Sequence, residues 1–301
     1  MISRLFSASV TGIQGYEVQV EVDARPVDDV GRMTIVGLPD AAVRESIQRV
    51  TSALSNSNFF HPGQLLVTVN LAPADVRKQG PGFDLPIALG LEMVIQQNSD
   101  SVPELYRRRV PIGLEDWCIV GELALDGQVR GIRGVLPLAV AARNAGRRYL
   151  MLSPENAAEA SVVEGISVYA VSTLRDAWDV LLERERFAPC QPQNECLKPL
   201  RDIDFDEVKG QPYARRAMEI AAAGGHNLLM CGSPGSGKSM LAGRLPTILP
   251  PLSHEEALES SMIHSVCGLL PREGGLLHRR PFRSPHHTIS DVGLMGGGTN
   301  I

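Results

Sequence analysis

Long apolar runs are missing from this 301-residue chain. No stretch of about 18 consecutive apolar residues occurs, so nothing in the sequence reads as a membrane-spanning helix. Cysteine is scarce: Cys118, Cys190, Cys196, Cys231 and Cys267 are scattered with no CxxC pair, which excludes a disulfide framework and the common zinc spacings. Excess charge is missing too. Against 34 acidic residues stand 29 basic ones, a net of −5, so any nucleic-acid contact must come from a local basic patch. The opening residues hold no apolar core of the roughly 7–15 residues a secretory signal needs, and the expectation is a cytoplasmic protein. What is present is globular in kind. Apolar residues make up 44% and charged residues 21%, too apolar for a disordered chain, and the length suits two domains of roughly 100–200 residues.

The first part of the chain reads as interspersed strands and helices. Tyr16, Val18, Val20, Val22 and Ala24 share one face of residues 16–24, with charged or amide residues opposite, as a half-buried strand requires. A second strand is predicted at Arg32–Val36. Gly37-Leu38-Pro39 then leads into a helix capped by Asp40, with Val43, Ile47, Val50 and Leu54 on one side. Residues 64–70 read as a strand and 84–97 as a buried helix. Cys118–Leu125 runs into Asp126-Gly127, a hairpin turn, and returns through residues 128–130. A helix from Gly134 stops at Gly146, and 148–152 form a strand. Ser153-Pro154 opens another helix, and a strand at 166–171 precedes a closing helix at 172–185. This mixture is α+β or mixed α/β.

Residues 81–90 (PGFDLPIALG) together with 121–146 (GELALDGQVRGIRGVLPLAVAARNAG) resemble the proteolytic domain of Lon-type proteases. The resemblance implies a serine nucleophile in a Gly-Pro-Ser segment and a lysine base early in the later helix. Here Gly80-Pro81 is followed by Gly82, and Val135–Leu138 contains no lysine. The expectation is a Lon-like α+β domain over residues 1–183 that acts as a scaffold without protease chemistry. Residues 184–200 carry Pro189, Pro192 and Pro199 and little periodicity, so they are expected to be a linker.

The chemistry-bearing motif lies beyond. Gly232-Ser233-Pro234-Gly235-Ser236-Gly237-Lys238-Ser239 matches GxxxxGK[ST] at every fixed position. Its glycines let the backbone curl so that successive N–H groups face phosphate oxygens. Lys238 is placed to reach the β- and γ-phosphates, and the Ser239 hydroxyl to ligate Mg²⁺. The apolar run Asn227–Cys231 reads as a buried strand leading into the loop. A helix should follow from Lys238, with Pro246 ending it early.

With this motif on the page, residues 204–298 (from DFDEVKGQ to RRPFRSPHHTISDVGLMGGG) resemble the magnesium-chelatase-like AAA+ ATPase family. The segments VGLPDAAVRES, VNLAPADVRKQGPGFDLPIALG and VGELALDG in the first domain are similar to it as well. The resemblance covers essentially the whole chain and implies a P-loop AAA+ domain over residues 201–301. It implies ATP and Mg²⁺ as cofactors, a homo-hexameric ring, no membrane partner, and DNA as a partner of the full-length family. One branch is implied to act as a DNA branch-migration helicase in natural transformation. Carried over by position, Val208, Gly210 and Gln211 match the segment lying near the adenine; a strand-to-helix turn with no ligand is the plain alternative. A magnesium-chelatase ATPase subunit and a non-enzymatic interaction module remain as alternative readings.

Arg272, Arg279, Arg280 and Arg283, close to His278, His286 and His287, form a basic stretch opposed only by Glu273. Arg279, Arg280, Arg283, His286 and His287 are candidate DNA contacts, against the alternative of a solvated basic loop. One element is not found. A P-loop ATPase needs an apolar strand ending in Asp or Asp-Glu. After Ser239 the carboxylates are Glu255, Glu256, Glu259, Glu273 and Asp291, and none follows such a strand. The family's acidic strand should follow the glycine-rich segment at Gly293–Gly298. The expectation is therefore an incomplete, amino-terminal part of an AAA+ domain that hydrolyses ATP poorly.

Overall fold

Strict alternation along the predicted strand at 16–24 lets it lie inside a sheet with one dry face. The structure, a computed structural model, describes residues 2–28, 30–60, 63–97, 102–192, 203–270 and 275–296. Two compact units are present, residues 1–193 with 262–275 and residues 194–261 with 276–301. The break at 193 falls within the expected linker 184–200. Residues 193–200, including Cys196 and Pro199, lie outside the described residues, as do Arg272, Glu273, Gly297 and Gly298.

In the first unit β1 (Ile2–Thr11), β2 (Gln14–Pro26), β3 (Arg32–Val36) and β4 (Leu65–Ala72) form a sheet in the order β1-β2-β4-β3. The β1–β2 and β2–β4 pairs are antiparallel, whereas β3 runs parallel to β4. Leu5 faces Val20, Val20 faces Leu71 and Val22 faces Val69, all buried, so the apolar face fixes the register. β1 was not foreseen in the sequence. Its inward positions include Ser3, Ser7 and Ser9, which hide the alternation although all three are buried.

Small residues are needed on β1 because a helix packs closely on it. α1 (Ala41–Asn56) starts as predicted, with Asp40 Oδ1 accepting from the Val43 N–H at 2.8 Å. α2 (Asp84–Gln97) is buried from Asp84 to Gln96, which explains why it is apolar on all sides. A Cβ at Gly90 would lie 2.9 Å from Val22 Cγ2 and 3.1 Å from Ser3 Oγ, and Ser3 Oγ donates to the Gly90 carbonyl at 2.8 Å. The helix and the sheet thus meet at glycine against serine.

The rest of the unit holds β5 (Trp117–Ile119), β6 (Glu122–Leu123), β7 (Val129–Arg130), α3 (Val135–Asn144), β8 (Tyr149–Leu152), α4 (Pro154–Ala160), β9 (Ser167–Ala170) and α5 (Leu174–Leu182). β5, β8 and β9 make a parallel sheet, and β6 and β7 an antiparallel ribbon around Gly127 at φ +85°. The predicted strand Cys118–Leu125 is thereby corrected: it splits between two sheets. Val120 N–H donates to the Met151 carbonyl and Gly121 N–H to the Gly82 carbonyl, so the run bends between them. Ser153 and Thr173 cap α4 and α5.

The second unit contains α6 (Pro212–Gly224), α7 (Lys238–Arg244), most of α8 (His254–Val266) and α9 (Asp291–Met295). Its small core joins Phe205, Val208, Met218 and Leu241. The predicted strand Asn227–Cys231 is not formed: among the described residues of this unit no strand is present, and Leu229 is 88% exposed. A strand exists only by hydrogen bonding to neighbours, and this segment has no ladder partner among the described residues. Overall the chain is mixed α/β, α+β in the first unit and helices around a glycine-rich loop in the second. Among the described residues no helix is long and apolar enough to cross a membrane.

Candidate functional site

Glycine placement shapes the loop between Cys231 and α7. Gly235 and Gly237 adopt φ of +81° and +85°, left-handed values that a side chain would oppose, and Ser236 N–H bonds back to the Ser233 carbonyl at 3.3 Å. α7 begins at Lys238, and the Leu241 N–H to Gly237 carbonyl bond of 2.9 Å fixes the transition. Pro246 closes it, as predicted, in a 3₁₀ turn over Leu245–Thr247. The loop itself, Gly232 to Gly235, is exposed to solvent.

Lys238 folds over this loop. Its Nζ donates to the carbonyls of Gly232 at 2.9 Å and Ser233 at 2.8 Å, and to Ser236 Oγ at 3.2 Å. The amine therefore sits within the curl of the motif. Ser239 follows on the exposed side of α7, one residue from the amine that would meet the same phosphates. The residues required to hold a triphosphate with its Mg²⁺ are thus gathered in one place: backbone N–H groups, one ammonium and one hydroxyl. They fit the group in kind.

The segment expected near the adenine divides in two. Val208 is fully buried in the small core against Phe205, Met218 and Leu241, beneath the loop's helix. Gly210, at φ +73°, and Gln211 are exposed, and Gln211 Nε2 donates to the Ser236 carbonyl at 2.7 Å. A further anchor went unforeseen. Arg244 at the end of α7 pairs with Glu207 (Nη2–Oε2 2.6 Å) and donates to the Asp204 carbonyl, tying the 204–208 turn to the loop's helix. No spacing rule links residues 37 apart, so the pair left no signal in the sequence.

The basic stretch is partly neutralised. Arg280 forms a two-oxygen contact with Glu256 (3.1 and 2.9 Å) and donates to the Pro250 carbonyl. The Ser253 N–H, and after it Arg280, hold the Glu256 carboxyl below the usual carboxylate range. Arg279, Arg283, His286 and His287 are exposed; His286 Nδ1 contacts Thr288 Oγ1 at 2.8 Å, and the two imidazoles stack with centroids 4.1 Å apart.

In the first unit a cavity of about 390 Å³ lies at Gly80–Gly82, lined also by Ser9, Asp40 and Arg133. Asp40 Oδ2 accepts the Gly80 N–H, and the buried Lys78 spends its amine on the Pro73 and Val76 carbonyls. Both contacts use the Lys78 amine as a donor, while burial lowers its pKa.

Comparison with known proteins agrees with both halves. The family described as "Magnesium chelatase, subunit ChlI" matches residues 204–301, and that described as "Subunit ChlI of Mg-chelatase" matches residues 20–156. Competence protein ComM of Haemophilus influenzae is 39% identical over 307 residues, covering 98% of this chain and 56% of the relative. The YifB protein of Salmonella typhimurium is 41% identical over 266 residues, 88% of this chain and 50% of the relative. Lon protease 2 of Bacillus subtilis is 23% identical over 183 residues, 56% of this chain, a likeness of fold. The chain spans about half the length of the ComM and YifB relatives it matches. Through residues 20–156 and 204–301 the chain belongs to the magnesium-chelatase ChlI-like family.

Proposed function

We propose that the second unit binds ATP with Mg²⁺ through Gly232–Ser239, as the nucleotide site of a DNA-associated ring ATPase of the ComM type. The observation that carries this reading is the loop with Lys238 folded into it, built from two left-handed glycines and closed by α7. When bound, the nucleotide would place its phosphates against the loop N–H groups and Lys238, and Mg²⁺ beside Ser239. A magnesium ion there neutralises phosphate charge and so favours transfer of the terminal phosphoryl group. The protein's own residues supply orientation. Arg244 with Glu207 fixes α7, and the exposed Arg283, His286 and His287 supply positive or neutral donors for a DNA backbone. A hexameric ring and a cytoplasmic setting, where triphosphates abound and thiols stay reduced, belong to the same reading.

Residues 240–301 contain no carboxylate that follows an apolar strand, so this polypeptide by itself should turn ATP over at well under about 1 s⁻¹. Isothermal calorimetry tests the binding claim. Lys238→Ala should lose most of the Mg–ATP affinity, and equal affinity in the two proteins would refute the assignment.

A second reading, a non-enzymatic interaction module, is favoured by the exposure of Leu228 and Leu229 just before the loop. Limited proteolysis separates the two. Cleavage beyond residue 200 that slows with Mg–ATP supports a nucleotide site; cleavage indifferent to it supports the module.

A further inference from the structure

We infer that Gln211 is a positioning residue for the phosphate loop and not an adenine contact; this rests on the nucleotide-site reading above. Three features of the position lead there. First, Gln211 holds φ 55° and ψ 50°, a left-handed conformation that a non-glycine residue resists, and it does so directly before Pro212, which opposes helical-type backbone in its predecessor. Second, it is the N-cap of α6, yet its side chain makes no capping bond there, and glutamine is not among the residues that serve caps well. Third, the side chain reaches 25 residues along the chain to donate to the Ser236 carbonyl at 2.7 Å. The unfavourable backbone is thus held at the one residue whose amide meets the loop.

The consequence follows from peptide geometry. In a planar trans peptide the C=O and the next N–H point in opposite directions. Fixing the Ser236 carbonyl toward Gln211 therefore turns the Gly237 N–H the other way. Gly235 and Gly237, at φ of +81° and +85°, flank Ser236 without side chains, so the peptide between Ser236 and Gly237 would otherwise be easier to flip. Gln211 holds one loop donor in its orientation before any ligand arrives. A phosphate, itself an acceptor, gains nothing from the Ser236 carbonyl, so this contact can persist when the ligand binds. Lys238, by contrast, must exchange its carbonyl partners for phosphate oxygens.

An adenine contact and a loop-positioning contact differ in what they require of the ligand. Calorimetry on the full chain with Mg–ATP and with Mg–tripolyphosphate, which lacks base and sugar, reads that difference. Gln211→Ala and Gln211→Gly should each weaken both ligands by the same factor, about five- to tenfold, as expected for one lost hydrogen bond. The glycine variant relieves the left-handed backbone, so agreement between the two assigns the loss to the side chain. Weakening of ATP alone would overturn the inference in favour of an adenine contact, and unchanged affinities would overturn it outright. Wild-type protein that holds ATP but not tripolyphosphate would overturn it as well, because binding would then rest on the nucleoside. Wild-type protein that binds neither would instead remove the nucleotide-site reading beneath it.

Discussion

Lys238 Nζ donates to the Ser233 carbonyl at 2.8 Å, so the loop's own lysine occupies the curl that a phosphate would enter. Binding must exchange this contact and the one to Gly232 for phosphate oxygens. Since Lys238 is not buried away from water, losing these bonds should cost the unbound chain about 1 kcal/mol or less. Lys238→Met is therefore expected to leave the melting temperature of the second unit within a few degrees of wild type without ligand. Saturating Mg–ATP, which at a hundredfold excess over Kd stabilises a binder by about 2.7 kcal/mol, should raise Tm in wild type only. Thermal unfolding with and without nucleotide checks both halves of this.

The first unit has its own two-point pair. Arg49 meets Asp84 through Nε–Oδ2 at 2.5 Å and Nη2–Oδ1 at 3.1 Å, while Asp84 Oδ2 also accepts the Leu123 N–H. Asp84 is fully buried, and the Arg49 side chain is 19% exposed. The carboxylate thus ties α1, α2 and β6 together, and Asp84, by its hydrogen bond, lifts the Arg49 pKa further. Asp84→Ala leaves a guanidinium and a backbone N–H without their acceptor. The expected loss is about 3–5 kcal/mol of first-unit stability, read by urea unfolding. Asp84→Asn retains an acceptor for Leu123 and should lose less.

That pair also marks what a sequence can carry. β2, α1, α2 and the glycine-rich loop were legible because each is a local regularity: alternation, a helical stripe, an all-apolar run, a fixed spacing. β1 was not, since serines at 3, 7 and 9 share its buried face with Leu5 and hide the alternation, Ser3 being the one that meets Gly90. Asn227–Cys231 looked like a strand by composition, but strand formation depends on partners that composition does not report. Within the site the loop was read directly. The contacts that hold it, Gln211 to Ser236 and Arg244 to Glu207, join residues distant in sequence and are set by tertiary packing alone.

Glu92 gives the first unit a pH response. It is 1% exposed on α2, with Gln96 donating to one oxygen and its Oε2 without a hydrogen-bond partner among the described residues. Burial pushes its pKa up from an ordinary value near 4.5 to about 7, against the smaller lowering effects of Gln96 and Arg108. The folded chain keeps this proton to higher pH than the unfolded chain does. Its contribution to stability is therefore fully present below about pH 4.5, falls as pH rises toward 7, and is lost above it, a change of roughly 3 kcal/mol. Glu92→Gln should abolish that slope. Urea midpoints between pH 5 and 8 should decline in wild type relative to the variant, and parallel curves would remove Glu92 from the account.

The basic stretch yields a counter-intuitive expectation. Arg280 is not freely available, because Glu256 grips it with both oxygens and the Pro250 carbonyl takes its Nε. To contact a DNA phosphate it must first give up that carboxylate, whereas Arg283 is exposed. Arg283→Ala should therefore weaken duplex binding more than Arg280→Ala does. Glu256→Gln, which removes a negative charge and releases Arg280, should tighten it. Counterion release gives the release a signature of its own: each added phosphate contact steepens the slope of log K against log salt by about 0.9. Fluorescence anisotropy of a labelled duplex over a salt series should show Glu256→Gln both tighter at low salt and steeper by roughly one contact. A tighter variant with an unchanged slope would mean that Glu256 acts only by long-range repulsion and that Arg280 stays bound elsewhere, on the Pro250 carbonyl.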